Sequence, residues 1–263
     1  MLLTVLSLGA GVQSTTMALM AAQGEITPMP DCAIFADTQD EPEPVMNHLR
    51  WLMSPNVLPF SVHIVTNGRL SERLFAGDDE ARIPFFVKAG GLSKRQCTRN
   101  FKLRPIKKKT RELLGKGPRE SVPARSVEAW VGISTDEASR MKPSDVRFIS
   151  KRYPLIEKNM SRHDCERWLM RRGYPIPPKS ACVYCPFHRD SQWRELRNDD
   201  AAGWARAVEV DRRLRTPENI ARFRGELFAH RSCVPLDQVD LRTAEDMGQL
   251  NMFVNECEGM CGV

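Results

Sequence analysis

Apolar positions along the chain come in short blocks, separated by glycine, proline and polar clusters. Leu2–Leu8 is an aliphatic, partly β-branched run with the length of a buried strand. Gly9 and Gly11 break it, Ser14, Thr15 and Thr16 stand where a helix begins, and Met17–Ala22 continue as an apolar helix closed by Gly24. Ala33–Asp37 (AIFAD) predicts a second buried strand that ends in a carboxylate. Phe60–Val65 (FSVHIV) predicts a third, and Val127–Ile133 (VEAWVGI) a fourth. Val45–Met53 has amphipathic helical spacing, and Pro105 suits the first turn of a helix that runs to Leu114 and closes at Gly115. Residues 67–95, with Gly77, Pro84, Gly90 and Gly91, predict an irregular insertion or flap. Alternation of strand and helix predicts an α/β fold, a doubly wound and mainly parallel sheet with right-handed crossovers.

The second half reads differently. Ser161-Arg162-His163-Asp164 resembles a capping box, and the helix it opens runs to Gly173 with Cys165, Trp168 and Leu169 on one face. Trp193–Leu214 and Pro217–Phe228 also predict helix, with Trp193, Leu196, Trp204 and Val208 as a core stripe. The expected division is an α/β domain over 1–150 and a smaller helical, cysteine-containing domain with a C-terminal tail over 151–263.

At 263 residues the chain can bury a full core. No apolar run approaches the ~18 residues of a membrane span, and the N-terminus lacks a signal-peptide pattern, so the expected location is cytoplasmic. A net charge of +6 and a pI near 9.0 point to an anionic partner without separating nucleic acid from nucleotide. Eight cysteines in a cytosolic chain read as metal ligands, redox thiols or core residues rather than disulfides.

The candidate chemistry follows from these placements. A strand, a glycine turn and a hydroxyl-rich helix start form a phosphate cradle, because glycines let backbone approach an anion and the helix end offers N–H groups. Asp37 and Thr38, at a strand end, are placed to meet a ribose or an adenine edge. Gly132, Asp136, Glu137 and Arg140 follow the fourth strand; Arg140 suits a phosphate or sulfate, or a local pair with Glu137. Lys102, Arg104, Lys107, Lys108, Lys109 and Arg111 crowd one helix and suit either phosphates or a solvated face. Cys182-Val183-Tyr184-Cys185 aims two thiols at one metal, and the missing ligands would come from Cys97 and Cys165. An iron–sulfur cluster, zinc and no metal all stay open. Cys32 and Cys233 carry no motif and read as structural.

Gly9-Ala10-Gly11-Val12-Gln13-Ser14-Thr15 resembles the PP-loop of ATP pyrophosphatases and, more closely, its variant in the phosphoadenosine phosphosulfate (PAPS) reductase family. Gly9 stands where the first Ser is usual, with Ser7 close by, and Gln13 where many ATP pyrophosphatases carry Asp. Asp37-Thr38 matches a family Asp-Thr-Gly, with Gln39 in place of the Gly. Cys97 ahead of Lys102 and Pro105, with Ser180-Ala181-Cys182-Val183-Tyr184-Cys185-Pro186-Phe187, is similar to a phage and bacterial branch. The resemblance spans roughly residues 2–200. It implies a PP-loop (HUP-like) fold and a nucleotide, ATP or PAPS, held by Ser7, Gly9, Gly11, Gln13, Ser14, Thr15, Asp37, Thr38, Gly132, Asp136, Glu137 and Arg140. It also implies a [4Fe-4S] cluster, with zinc as the alternative, on Cys97, Cys165, Cys182 and Cys185. The implied activity is sulfur transfer or sulfonucleotide reduction, with Ser14, Cys257 and Cys261 catalytic. Mg²⁺, a DNA or tRNA partner and a homodimer stay open. The competing expectation is a zinc-stabilised nucleic-acid-binding module whose nucleotide fold is not catalytic.

Overall fold

The computed structural model describes residues 2–242. Five parallel strands form the central sheet: β1 (Leu3–Leu8), β2 (Cys32–Asp37), β3 (Ser61–Thr66), β5 (Val127–Val131) and β6 (Ile149–Arg152), in the order β3-β2-β1-β5-β6. β1 pairs Leu6 with Ala33 on one side and with Trp130 on the other. Alternation along each strand sorts the core. Leu6, Leu8, Ala33, Phe35 and Trp130 join one cluster with α1 (Val12–Ala22), α2 (Glu43–Leu52) and α6 (Arg162–Arg171). Val5, Cys32, Ile34 and Val127 join another, against which Ile106 and Leu113 of α4 (Arg104–Leu113) pack. Helices thus cover both faces, as the expected doubly wound architecture requires.

Two features differ from the sequence expectation. The boundary at 150/151 falls inside β6, which adds a fifth strand to the sheet through pairs such as Trp130 with Arg152. The segment 67–95 is no loose flap: α3 (Leu70–Phe75) and the two-residue strand β4 (Phe86–Val87) bury Leu70, Leu74, Ala81, Ile83 and Phe85. Their partners come from the far end of the chain, Val183, Tyr184, Trp193, Ala207, Leu214 and Leu227 among them. β4 also pairs antiparallel with β7 (Leu227–Phe228). Residues distant in sequence therefore share one second core.

The helical half holds α5 (Pro154–Glu157), α6, α7 (Asp190–Asp199), α8 (Ala201–Arg213) and α9 (Pro217–Phe223). Ser161 and Asp164 form the expected capping box on α6, and Gly173 follows it at φ +69°. The run 193–214 is two helices, because Asp200 ends α7 and caps α8 by accepting from the Gly203 N–H at 2.8 Å.

Candidate functional site

The glycine turn sits at the C-terminal end of β1, where the strand order changes direction between β1 and β5. Open α/β sheets place ligands in the crevice at such a point. Gly11 is the N-cap of α1 in extended geometry, and no side chain among the described residues caps the helix. The first N–H groups of an α-helix have no intrahelical acceptor and carry a partial positive charge. Ser14 closes the turn: its hydroxyl accepts from the Gly9 N–H at 3.1 Å and donates to the Gly11 carbonyl at 3.2 Å. The left-handed residue is not a glycine but buried Ala10, at φ +55°, a conformation that costs a non-glycine about 1–2 kcal/mol. Gly132 has a different reason to be glycine. A Cβ there would stand 3.0 Å from the Ser14 nitrogen and 3.2 Å from its Cα, so its absence lets the β5 exit touch the start of α1.

The remaining expected nucleotide contacts divide into two groups. Gln13 lies near the crevice: its amide donates to Ser134 Oγ at 3.4 Å and its carbonyl accepts from Arg162 at 3.3 Å. Half-buried Asp37 accepts from the Gln39 N–H at 2.7 Å. Gln39 is left-handed at φ +60°, at the position where the motif carries Gly. Asp136 accepts from the Arg162 N–H at 2.8 Å. By contrast Thr15 is fully buried and shares a 3.0 Å hydrogen bond with His48 of α2, so it faces the packed side of α1. Ser7 lies within β1, in register with Ile34 and Val131. Arg140 forms the local pair, at 2.6 Å from buried Glu137.

The cysteine segment abuts this crevice. A Cβ on Gly11 would meet Ser180 Cβ at 3.8 Å, and Cys182 Sγ lies 3.1 Å from Thr38 Oγ1. Burial, then the nearby Glu41 carboxylate, pushes the Cys182 thiol well above its ordinary range. Glu41 pairs with Lys102 at 3.3 Å, while its second oxygen is buried with no partner among the described residues. Asp40 is better served: Tyr184 donates to it at 2.6 Å, and the Ser71 N–H and hydroxyl at 2.8 and 3.0 Å.

The four proposed metal ligands are not brought together. Cys165 sits in the core beneath α1, its thiol pushed up to about 12 chiefly by burial. Cys182 belongs to the second core, and half-buried Cys97 packs against that core. Cys185 donates its N–H to the Cys182 carbonyl at 2.9 Å. No three His, Cys, Asp or Glu side chains among the described residues stand close enough to hold a metal ion. This donor set does not fit a four-cysteine cluster or a zinc site: Cys165 is packed into one core and Cys182 into the other. Cys257 and Cys261 lie outside the described residues.

The basic helix is largely neutralised from within. Arg104 holds Glu80, Lys107 holds Asp145, Lys109 stands 3.6 Å from Glu112, and Arg111 donates to the Gly117 and Glu120 carbonyls. Arg162, Ser134 and Glu41 are site residues that the motifs did not flag as such. Their contacts span tens of residues or more, and no local pattern marks them.

No helix among the described residues is long and apolar enough to cross a membrane. No family model matches the chain, and no curated protein matches it significantly. Among solved structures it is similar to a phosphoadenylyl-sulfate (PAPS) reductase from Candida auris, in a phosphate complex. The TM-score is 0.45 at 13% identity, over 66% of this chain and 74% of that one. A likeness of that size carries no argument for function, and the fold stands on the sheet order itself.

Proposed function

We propose that the chain is an adenine-nucleotide-dependent enzyme of the PAPS-reductase-like kind, which holds the anionic end of ATP or PAPS at the Gly9–Ser14 turn. The observation that carries this reading is the uncapped start of α1 at the strand-order switch, with Gly132 giving β5 close approach to it. The N–H groups there suit charge on a phosphate or sulfate. Asp37 and Gln13 stand at the same strand-end rim for the ribose or base. Sulfur transfer and sulfonucleotide reduction are both served by a thiol beside the cradle, and Cys182 is the described thiol whose segment reaches it. Burial keeps that thiol protonated at rest, so it reacts only after a proton leaves.

Calorimetric titration of the full chain with ATP and with PAPS tests the reading. Binding of either one, abolished by Gly11→Asp, is the expected result, because a carboxylate at that position repels the phosphate. Equal affinity in wild type and Gly11→Asp rejects the cradle.

A further inference from the structure

A second cluster of reactive side chains lies where the loop after β7 meets the start of α7. His230 is buried and bonded at both ring nitrogens. Its Nε2 stands 2.9 Å from Asp190 Oδ1, and its Nδ1 stands 2.8 Å from the Ser232 hydroxyl. A third contact fixes the tautomer. The Ser232 backbone N–H donates to Nδ1 at 3.1 Å, so Nδ1 carries the lone pair, and the ring proton sits on Nε2 and is donated to Asp190. Asp190 is oriented in turn, because its other oxygen accepts from Arg231 at 2.6 Å. The order is carboxylate, imidazole, hydroxyl: a base within hydrogen-bond reach of a nucleophile and held by a third group. Ser232, at the outer end, is exposed.

The loop is held rigidly enough to keep that order. Buried Asp211 accepts from the Ala229 N–H at 2.8 Å and the Leu236 N–H at 2.9 Å, so both ends of the segment carrying His230 and Ser232 are pinned to α8. Cys233 closes the turn left-handed at φ +52°, its N–H on the His230 carbonyl at 3.1 Å. The Ser232 N–H contact is enough to lock the turn; the hydroxyl and the carboxylate, 40 positions apart from the ring in sequence for Asp190, add a path for a proton. We propose that Ser232 is a nucleophile, with His230 as its base and Asp190 as the positioning residue, and that it takes small acyl donors with stable leaving groups, such as aryl esters. The leaving-group requirement follows from the turn itself. The N–H groups of Ser232 and Cys233 are both spent on His230, so they supply no oxyanion hole. Ser232 Oγ bonds to the carbonyl carbon, its proton passes to Nδ1, and the carbon–oxygen bond to the leaving group breaks as that group takes the proton. Water then attacks the acyl-serine by the same route, and the net reaction is ester hydrolysis with no change of oxidation state. This assignment does not depend on the nucleotide reading of the Gly9–Ser14 turn.

Treatment of the full chain with p-nitrophenyl acetate, with release of nitrophenolate followed by absorbance and the acetylated residue located by peptide mass spectrometry, tests it. The expected result is an acetyl group on Ser232 and a release rate that drops about a hundredfold in His230→Gln. Asp190→Asn is the second variant: its amide can present an N–H to Nε2, which moves the ring proton to Nδ1 and removes the base, so a loss of similar size is expected. The pH profile separates this role from a structural one. Wild-type acylation should rise with pH as Nδ1 loses its proton and then level off, while in both variants it should follow hydroxide throughout; the charged groups facing the ring are Asp190 and Arg231. Ser232→Ala should abolish the serine adduct with a melting temperature close to wild type. Acetyl groups found on lysine or cysteine only overturn the proposal. So does a Ser232 adduct that forms at the same rate in His230→Gln and Asp190→Asn, which would make it an ordinary surface hydroxyl. A lowered melting temperature in Ser232→Ala, with no adduct on wild type, would reduce the cluster to a lock on the turn and overturn it as well.

Discussion

Gly132→Ala is the sharpest probe of the cradle. The added methyl would stand 3.0 Å from the Ser14 nitrogen, 3.2 Å from its Cα and 3.3 Å from the Gln13 carbonyl carbon. These are backbone atoms, so no side chain can swing aside. The first turn of α1 is held from behind by α6 and by buried Val12, Thr15 and Thr16. It must retreat by a few tenths of an ångström, or the end of β5 must. Overpacking of this kind costs about 1–3 kcal/mol. For a chain of this size that lowers the melting temperature by roughly 2–4 °C per kcal/mol. The same retreat moves the N–H groups of Gln13 and Ser14, and losing one charge-assisted hydrogen bond weakens ATP or PAPS about tenfold or more. Gly11→Ala is the internal control. Its methyl would meet Ser180 Cβ at 3.8 Å, an ordinary contact, and Gly11 is not left-handed, so its stability should stay within about 0.5 kcal/mol of wild type. Thermal melts read the packing and calorimetry reads the ligand. A melting temperature lowered in Gly132→Ala with nucleotide affinity unchanged would separate the turn from binding and refute the reasoning. An unchanged melting temperature would refute the packing argument itself.

Two further outcomes follow from buried groups. Tyr184→Phe removes the 2.6 Å donor to Asp40 and leaves that carboxylate with Ser71 alone; urea unfolding should show a loss of about 1–3 kcal/mol, and an unchanged midpoint would contradict the network. Burial holds His188 and His48 down to about 4, while an unfolded histidine titrates near ~6.5. Between those values the unfolded chain binds protons that the folded chain refuses. Stability is therefore full above pH ~6.5 and falls as pH drops towards ~4, by about 1.4 kcal/mol per pH unit for each such group. Denaturation midpoints at pH 7 and pH 5 measure it, His188→Asn should flatten the fall, and a flat wild-type profile would show that these rings are not buried as described.

Four of the five parallel strands were legible: Leu2–Leu8, Ala33–Asp37 and Val127–Ile133 are mainly apolar runs of inner strands, and the edge strand at Phe60–Val65 alternates Phe60, Val62 and Ile64 with Ser61 and His63. β6 escaped notice because an edge strand needs no such run: Ile149-Ser150-Lys151-Arg152 is half-buried along its length. The second core was hidden for another reason. Glycines and prolines in 67–95 mask apolar residues that are widely spaced, and those residues find their partners a hundred positions later. In the site, the glycine turn could be read locally, as could the Asp37 strand end. The split between Thr15, facing the packed side, and Gln13, facing the rim, could not, because it depends on how α1 is rotated against α2. The core placement of Cys165 was legible in its helical spacing with Trp168 and Leu169.

The pairing of Phe86–Val87 with Leu227–Phe228 has a bearing on how this protein can be cut. A fragment ending at 150 would keep the glycine turn but strip its sheet of α6, and would leave Leu70, Leu74 and Phe85 facing water. A fragment starting at 151 would lose the partners of Trp193 and Tyr184. Neither piece inherits a closed interior, so dissection of this chain belongs at the level of single side chains rather than halves.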